Sequence, residues 1–157
     1  MADFDLIVDT LYVGSVWAGM QPERLAEAGV GSVLKLTAGD LSELDGLNVL
    51  DLSFPDAQSI PPGFLRRGVD FIAAEQAAGR GVLVMCAAGI SRSPTFVLAY
   101  LVEKKGCDLR EAFQRVRAAR PIAAPHPVLW LSLLAFLGTP YSWADVQSWL
   151  TGDLRPH

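Results

Sequence analysis

Residues 82–94 read VLVMCAAGISRSP. Val82 to Met85 are four consecutive apolar residues, a run of strand length with no polar face. That is the pattern of a strand buried on both sides of a parallel sheet. Cys86 stands at its end, Ala87, Ala88, Gly89, Ile90 and Ser91 follow as a loop, and residues 94–105 read as a helix. Pro94 suits a first turn, Lys104 and Lys105 suit a last turn, and Gly106 suits the exit. A strand feeding a helix through a short loop predicts an α/β domain.

Outward from this unit the pattern repeats. Residues 11–13 read as a short strand followed by a turn at Gly14-Ser15, and residues 33–36 and 49–52 read as two more strands. Residues 22–28 and 61–78 read as helices, the second with Phe64, Leu65, Val69, Ile72 and Ala73 at helical spacing. Asp108 to Glu111 resembles a capping box that opens a further helix. Pro127 opens another, reaching Leu137, and Ser142 to Asp145 starts a short last one. Strands alternating with helices predict a central, mainly parallel, twisted sheet flanked by helices.

The chain has 157 residues and a net charge of −4, with 51% hydrophobic and 19% charged residues. That fits one globular domain with one sizeable core. A mildly acidic chain with no basic run is a poor partner for nucleic acid. The greasy run of residues 128–137 is too short to span a bilayer, so no membrane association is expected. Cys86 and Cys107 form no CxxC pair, and His126 and His157 are the only histidines, so neither a metal nor another cofactor is expected. A reducing, cytoplasmic setting and a monomer are the simplest expectations.

The chemistry lies in the loop. Ligands of open α/β sheets bind beyond the carboxyl ends of the strands. The first amides of a helix have no intrahelical partner, and a curled run of small residues turns more amides inward, so Ala87, Ala88, Gly89, Ile90 and Ser91 form an anion nest. Arg92, six positions after Cys86, brings a planar guanidinium that grips two phosphate oxygens. Such a field lowers a cysteine pKa to about 3.5–7.5, making Cys86 a thiolate nucleophile. Ser93 is placed to hydrogen-bond the sulfur and help it leave. Singly, each of these residues reads as ordinary structure; the string C-x-x-G-x-x-R-S between a strand and a helix does not.

The segment CAAGISRS resembles the signature of the cysteine-based protein phosphatases, C-x5-R-[ST], and its ending is most similar to the dual-specificity subgroup. Residues 11–15 (LYVGS), residues 25–36, Phe71-Ile72 and Ala119-Arg120-Pro121 match the subgroup's pattern too, so the resemblance covers about residues 4–137 of a single domain, 1–157. Residues 138–157 are then an extension packed on it. The resemblance implies the cysteine-phosphatase fold and a phosphocysteine intermediate. It also implies hydrolysis of phosphotyrosine, and through a shallow cup phosphoserine and phosphothreonine, in a phosphorylated protein or peptide. The alternatives are a catalytically weak phosphate-binding relative and a phosphatase for a non-protein phosphoester. The family's general acid falls best on Asp56, in Phe54-Pro55-Asp56, with Asp51 and Asp40 as weaker candidates.

Two positions depart from the family pattern. Met85 stands where a histidine usually precedes the nucleophile, and a thioether donates no hydrogen bond to order the loop. His126 stands where the family commonly has an asparagine that buttresses the loop; either a ring nitrogen does the same, or the residue only starts a helix. Cys107 lies beyond the helix that follows the loop, too far to trap an oxidised Cys86. Trp130, Leu133, Leu134 and Leu137 are expected in the core, with Trp143 and Trp149 packing the C-terminal part.

Overall fold

The computed structural model describes residues 3–39, 41–138 and 140–153. Asp40 and His157 therefore lie outside the described residues. Five strands form one sheet, β1 (Phe4–Val8), β2 (Leu11–Gly14), β3 (Val30–Lys35), β4 (Asn48–Asp51) and β5 (Gly81–Met85), in the order β1-β2-β5-β3-β4. β1 pairs antiparallel with β2; the other three pairings are parallel. The expected mainly parallel sheet is present, with β5 at its centre and every one of its residues buried.

Among the described residues there are seven α-helices: α1 (Val16–Gly19), α2 (Pro22–Glu27), α3 (Phe64–Ala77), α4 (Arg92–Lys105), α5 (Leu109–Ala119), α6 (Pro127–Leu137) and α7 (Trp143–Ser148). None of the described helices is long and apolar enough to cross a membrane. Two elements went unread in the sequence. β1 is an edge strand whose alternation is weak, and α1 is a single turn capped by the Ser15 hydroxyl, which accepts from the Trp17 amide at 3.1 Å. α4 starts at Arg92, two residues before the reading from Pro94, which places Pro94 in the first turn, where its missing amide costs nothing. At Asp108 the side chain accepts from the Arg110 amide without a reciprocal bond from Glu111; the complete capping box is Ser142–Asp145.

Two cores flank the sheet. The larger contains α3 to α6, with Phe96, Phe113 and Trp130, and includes Val146 and Trp149 from the C-terminal segment. Gly68 lets α3 lie against α4, since a Cβ there would stand 2.6 Å from the Phe96 ring. The smaller core holds Ala18, Leu25, Val30, Val33, Leu44, Leu83 and Met85.

A buried carboxylate ties α3 to this sheet. Glu75 accepts from the Ser32 hydroxyl (2.8 Å), from the Asn48 amide, and from Arg80 (2.6 Å). The bond from Arg80 lowers its pKa, burial opposes, and the Ser32 and Asn48 bonds lower it further. A depressed carboxylate stabilises the fold above its unfolded value and loses that contribution as pH falls through the folded value. Glu75→Gln keeps an acceptor for Ser32 but turns an amide toward Arg80. The expected loss at neutral pH is about 1.5–3 kcal/mol. Thermal melts should show the gap between variant and wild type closing as pH drops below about 4.

Candidate active site

β5 ends at Met85 and delivers Cys86 to the mouth of the sheet, 2% exposed, with its amide on the Gly14 carbonyl at 3.3 Å. From there the chain curls into α4. Gly89 makes the curl possible: its φ is +66°, and a Cβ would stand 2.7 Å from both Arg120 Nη2 and the Gly14 carbonyl carbon.

The carbonyls of the loop are all held from outside. Ala87 O accepts from the Val16 amide (3.2 Å), Ala88 O from Arg120 Nη2 (3.0 Å) and Gly89 O from Arg120 Nε (2.8 Å). Ile90 O accepts from the Ala124 amide (2.7 Å), and Ser91 O from the Thr95 hydroxyl (2.8 Å). The amides of Ala87 through Ser91 donate to no acceptor among the described residues. Successive amides left without acceptors beside held carbonyls are the arrangement from which an anion nest is built.

At the end of the curl the Ser93 amide donates to Cys86 Sγ at 3.4 Å. The Ser93 hydroxyl is fully buried and unpartnered, as is Arg92 Nε. Buried donors without partners are rare. Arg92 is oriented by Nη1, which donates to the carbonyls of Leu36 (3.1 Å) and Phe54 (2.8 Å). These residues lie just past the ends of β3 and β4, so the guanidinium is pinned between two loops.

Asp56 is not packed against Cys86. It lies exposed in the segment after β4, with Oδ1 accepting from the Ala57 amide at 2.8 Å. The Phe54 carbonyl, two residues earlier, is the one Arg92 holds, so this segment is anchored to the cup from below. Asp51 ends β4 and is taken up by Lys35 and Ser53. Burial pushes its carboxyl up, and the Ser53 hydroxyl and amide together with Lys35 more than offset this, leaving it below the usual carboxylate range.

Met85 does not face the loop as an empty place for a missing histidine. It is fully buried in the smaller core, its sulfur against Gly19. Bracing comes instead from Arg120, a residue whose role was not read from the sequence. Its side chain, 2% exposed, holds Ala88 O and Gly89 O and is neutralised by Asp5 Oδ2 (2.9 Å) and Asp3 Oδ1 (3.2 Å). The motif Ala119-Arg120-Pro121 was its only local signal. For His126, the ring does not touch the loop: Nδ1 caps α6 by accepting from the Val128 amide (3.1 Å). The His126 backbone amide reaches Ser91 Oγ at 2.9 Å. Cys107 sits at the far end of α4, about 21 Å from its start.

A parallel sheet that ends in a buried cysteine beneath a cup of free amides, closed by an arginine, defines the cysteine-phosphatase class. The model of the dual specificity phosphatase catalytic domain matches residues 11–137, and the chain belongs to that family. It is 33% identical to human dual specificity phosphatase 28, over 81% of this chain and 73% of that protein. It is 29% identical to mouse dual specificity protein phosphatase 15, over 90% of this chain; there it spans only 58% of the relative's length. The solved structure of human DUSP28 superposes with a TM-score of 0.79 at 29% identity, covering 85% of this chain and 91% of that one. That of DUSP15 gives 0.80 at 25% identity, covering 94% and 92%.

Proposed function

We propose that the protein is a phosphoric monoester hydrolase acting on phosphotyrosine, and on phosphoserine and phosphothreonine, in proteins or peptides. The observation that carries this is the loop whose carbonyls are all bonded while its amides and Arg92 Nε have no acceptor among the described residues. Such a cup is complementary to a phosphoryl group with its oxygens spread in a plane, where preorganised donors stabilise developing charge most.

In the first step Cys86 Sγ, as thiolate, forms a bond to phosphorus while the ester P–O bond breaks. The leaving oxygen takes the electron pair and a proton from Asp56. In the second step a water oxygen attacks the phosphocysteine, its proton passes to the Asp56 carboxylate, and the S–P bond breaks. The buried Ser93 hydroxyl is free to donate to the departing sulfur. Asp56 supports this reading by its exposed place on the segment that Arg92 anchors.

Asp56→Asn keeps the size of the side chain and removes the proton. It should lower kcat/KM by about 10²-fold on phosphotyrosine peptides, at the lower end of what a placed acid contributes. Phosphate release from a panel of phosphotyrosine, phosphoserine and phosphothreonine peptides checks both points. A wild-type protein that binds these peptides but releases no phosphate from any of them, or from a simple aryl phosphate, ends the catalytic proposal in favour of a binding module.

A further inference from the structure

Lys35 is the last residue of β3, and its side chain is only 7% exposed. Lysine is almost never buried to this degree without partners, and an apolar side chain would fill the same space without the cost of desolvating a charge. Its partners are specific. Nζ donates to Thr37 O at 2.7 Å, to Asp51 Oδ2 at 3.2 Å and to Ser53 Oγ at 3.4 Å. Three ammonium protons meet three oxygens, so the group is saturated. Ser53 completes the knot: its hydroxyl, with one proton to donate, lies between two acceptors, Thr37 O at 2.8 Å and Asp51 Oδ1, and Asp51 Oδ1 accepts from the Ser53 amide at 3.0 Å.

What the knot joins matters. Lys35 and Asp51 are the last paired residues of β3 and β4. Beyond them the chains diverge, one into Thr37 and Ala38, the other into Ser53, Phe54, Pro55 and Asp56. Past Leu52, the ladder offers only a long Phe54 amide bond to Leu36 O, at 3.4 Å. Two cations hold the diverging segments together: Arg92 through Leu36 O and Phe54 O, and Lys35 through Thr37 O and Ser53 Oγ. A cavity of about 380 Å³ lies between the segments, walled by Thr37, Ala38, Ser53, Phe54, Pro55 and Arg92. Ser53 is three residues from Asp56. Arg92 fixes the face of this junction that meets phosphate, and Lys35 fixes its back.

We propose that Lys35 is a positioning residue for proton donation: it sets the segment that carries Asp56 and so the distance from that carboxyl to the leaving oxygen. The proposal rests on Asp56 as the general acid. Nothing in it requires Lys35 to touch substrate. A displacement of about 1 Å in such a group is enough to cost about 10²-fold.

The experiment uses the ester's own dependence on acid. Phenyl phosphate has a basic leaving oxygen that depends strongly on a proton; 4-nitrophenyl phosphate has a stabilised one that depends on it much less. Lys35→Met preserves length and packing, Ser53 still bonds Thr37 O, and Asp51, more than half exposed, keeps water. The expected result is a fall in kcat/KM of about 10²-fold on phenyl phosphate, with a change of at most about threefold on 4-nitrophenyl phosphate. Ser53→Ala, a milder cut in the same knot, should show the same bias at smaller size. In Lys35→Met combined with Asp56→Asn, the two losses should fail to add. Equal losses on both esters, or none in a protein that melts as wild type does, would make Lys35 a purely structural residue and overturn the proposal. Should Lys35→Met not fold, an unbiased Ser53→Ala overturns it equally. Asp56→Asn alone separates the premises: no leaving-group bias there removes the acid itself and the proposal with it, while a bias in Asp56→Asn without one in Lys35→Met refutes only the positioning role.

Discussion

Cys86→Ser is expected to lose on the order of 10⁴-fold or more in kcat/KM on any phosphoester the wild type turns over. Oxygen replaces sulfur at the end of β5, and a serine hydroxyl without an adjacent base is a far weaker nucleophile than a cysteine sulfur. No described histidine stands by to activate it, since the His126 ring is spent on capping α6. The fold should not change: the residue is small, 2% exposed, and the Ser93 amide can still donate to the new hydroxyl. Thermal melting within a few degrees of wild type, undiminished binding of a phosphopeptide and absent turnover are the expected set. Rapid quenching with a labelled substrate should trap phosphate on the wild-type protein and none on the variant. Residual activity at a tenth of wild type would place the nucleophile elsewhere.

Arg92→Lys should lose on the order of 10³-fold in kcat/KM, although the charge is kept. The guanidinium spends Nη1 on two carbonyls, Leu36 O and Phe54 O, and still has Nε free inside the site. An ammonium is a point donor and cannot hold two loops and clamp two phosphate oxygens together. Inhibition by inorganic phosphate or vanadate should weaken in parallel, because both oxyanions need the same fork. A loss below tenfold would mean that the amides alone bind the phosphoryl group.

The strand, loop and helix of residues 82–94 were legible because the pattern is local. Four apolar residues, a glycine curl and a proline in the first turn are neighbours in the chain. The residues that shape the cup from outside were not legible, because their partners are distant. Arg120 acts on residues 88 and 89 and is balanced by residues 3 and 5. Lys35 sits in what reads as an ordinary strand end, and its three oxygens come from Thr37, Asp51 and Ser53. β1 hid for a related reason: an edge strand that exposes Leu6 and buries Ile7 next to Asp5 carries too little contrast to be read alone. Met85 was readable as a departure, but that its thioether fills the smaller core depended on Ala18, in the single turn α1 that the sequence did not announce.

The bracing of the cup also bears on how the chain folds. Its walls are set by Asp3 and Asp5, and by Arg120, 117 and 115 positions later, with Ala124 and the His126 amide. Arg120 lies 32 and 31 positions after Ala88 and Gly89, the residues whose carbonyls it holds. Contacts of such sequence separation form late. The surroundings of Cys86 are therefore complete only once residues 3–5 and 120–126 have packed around the loop.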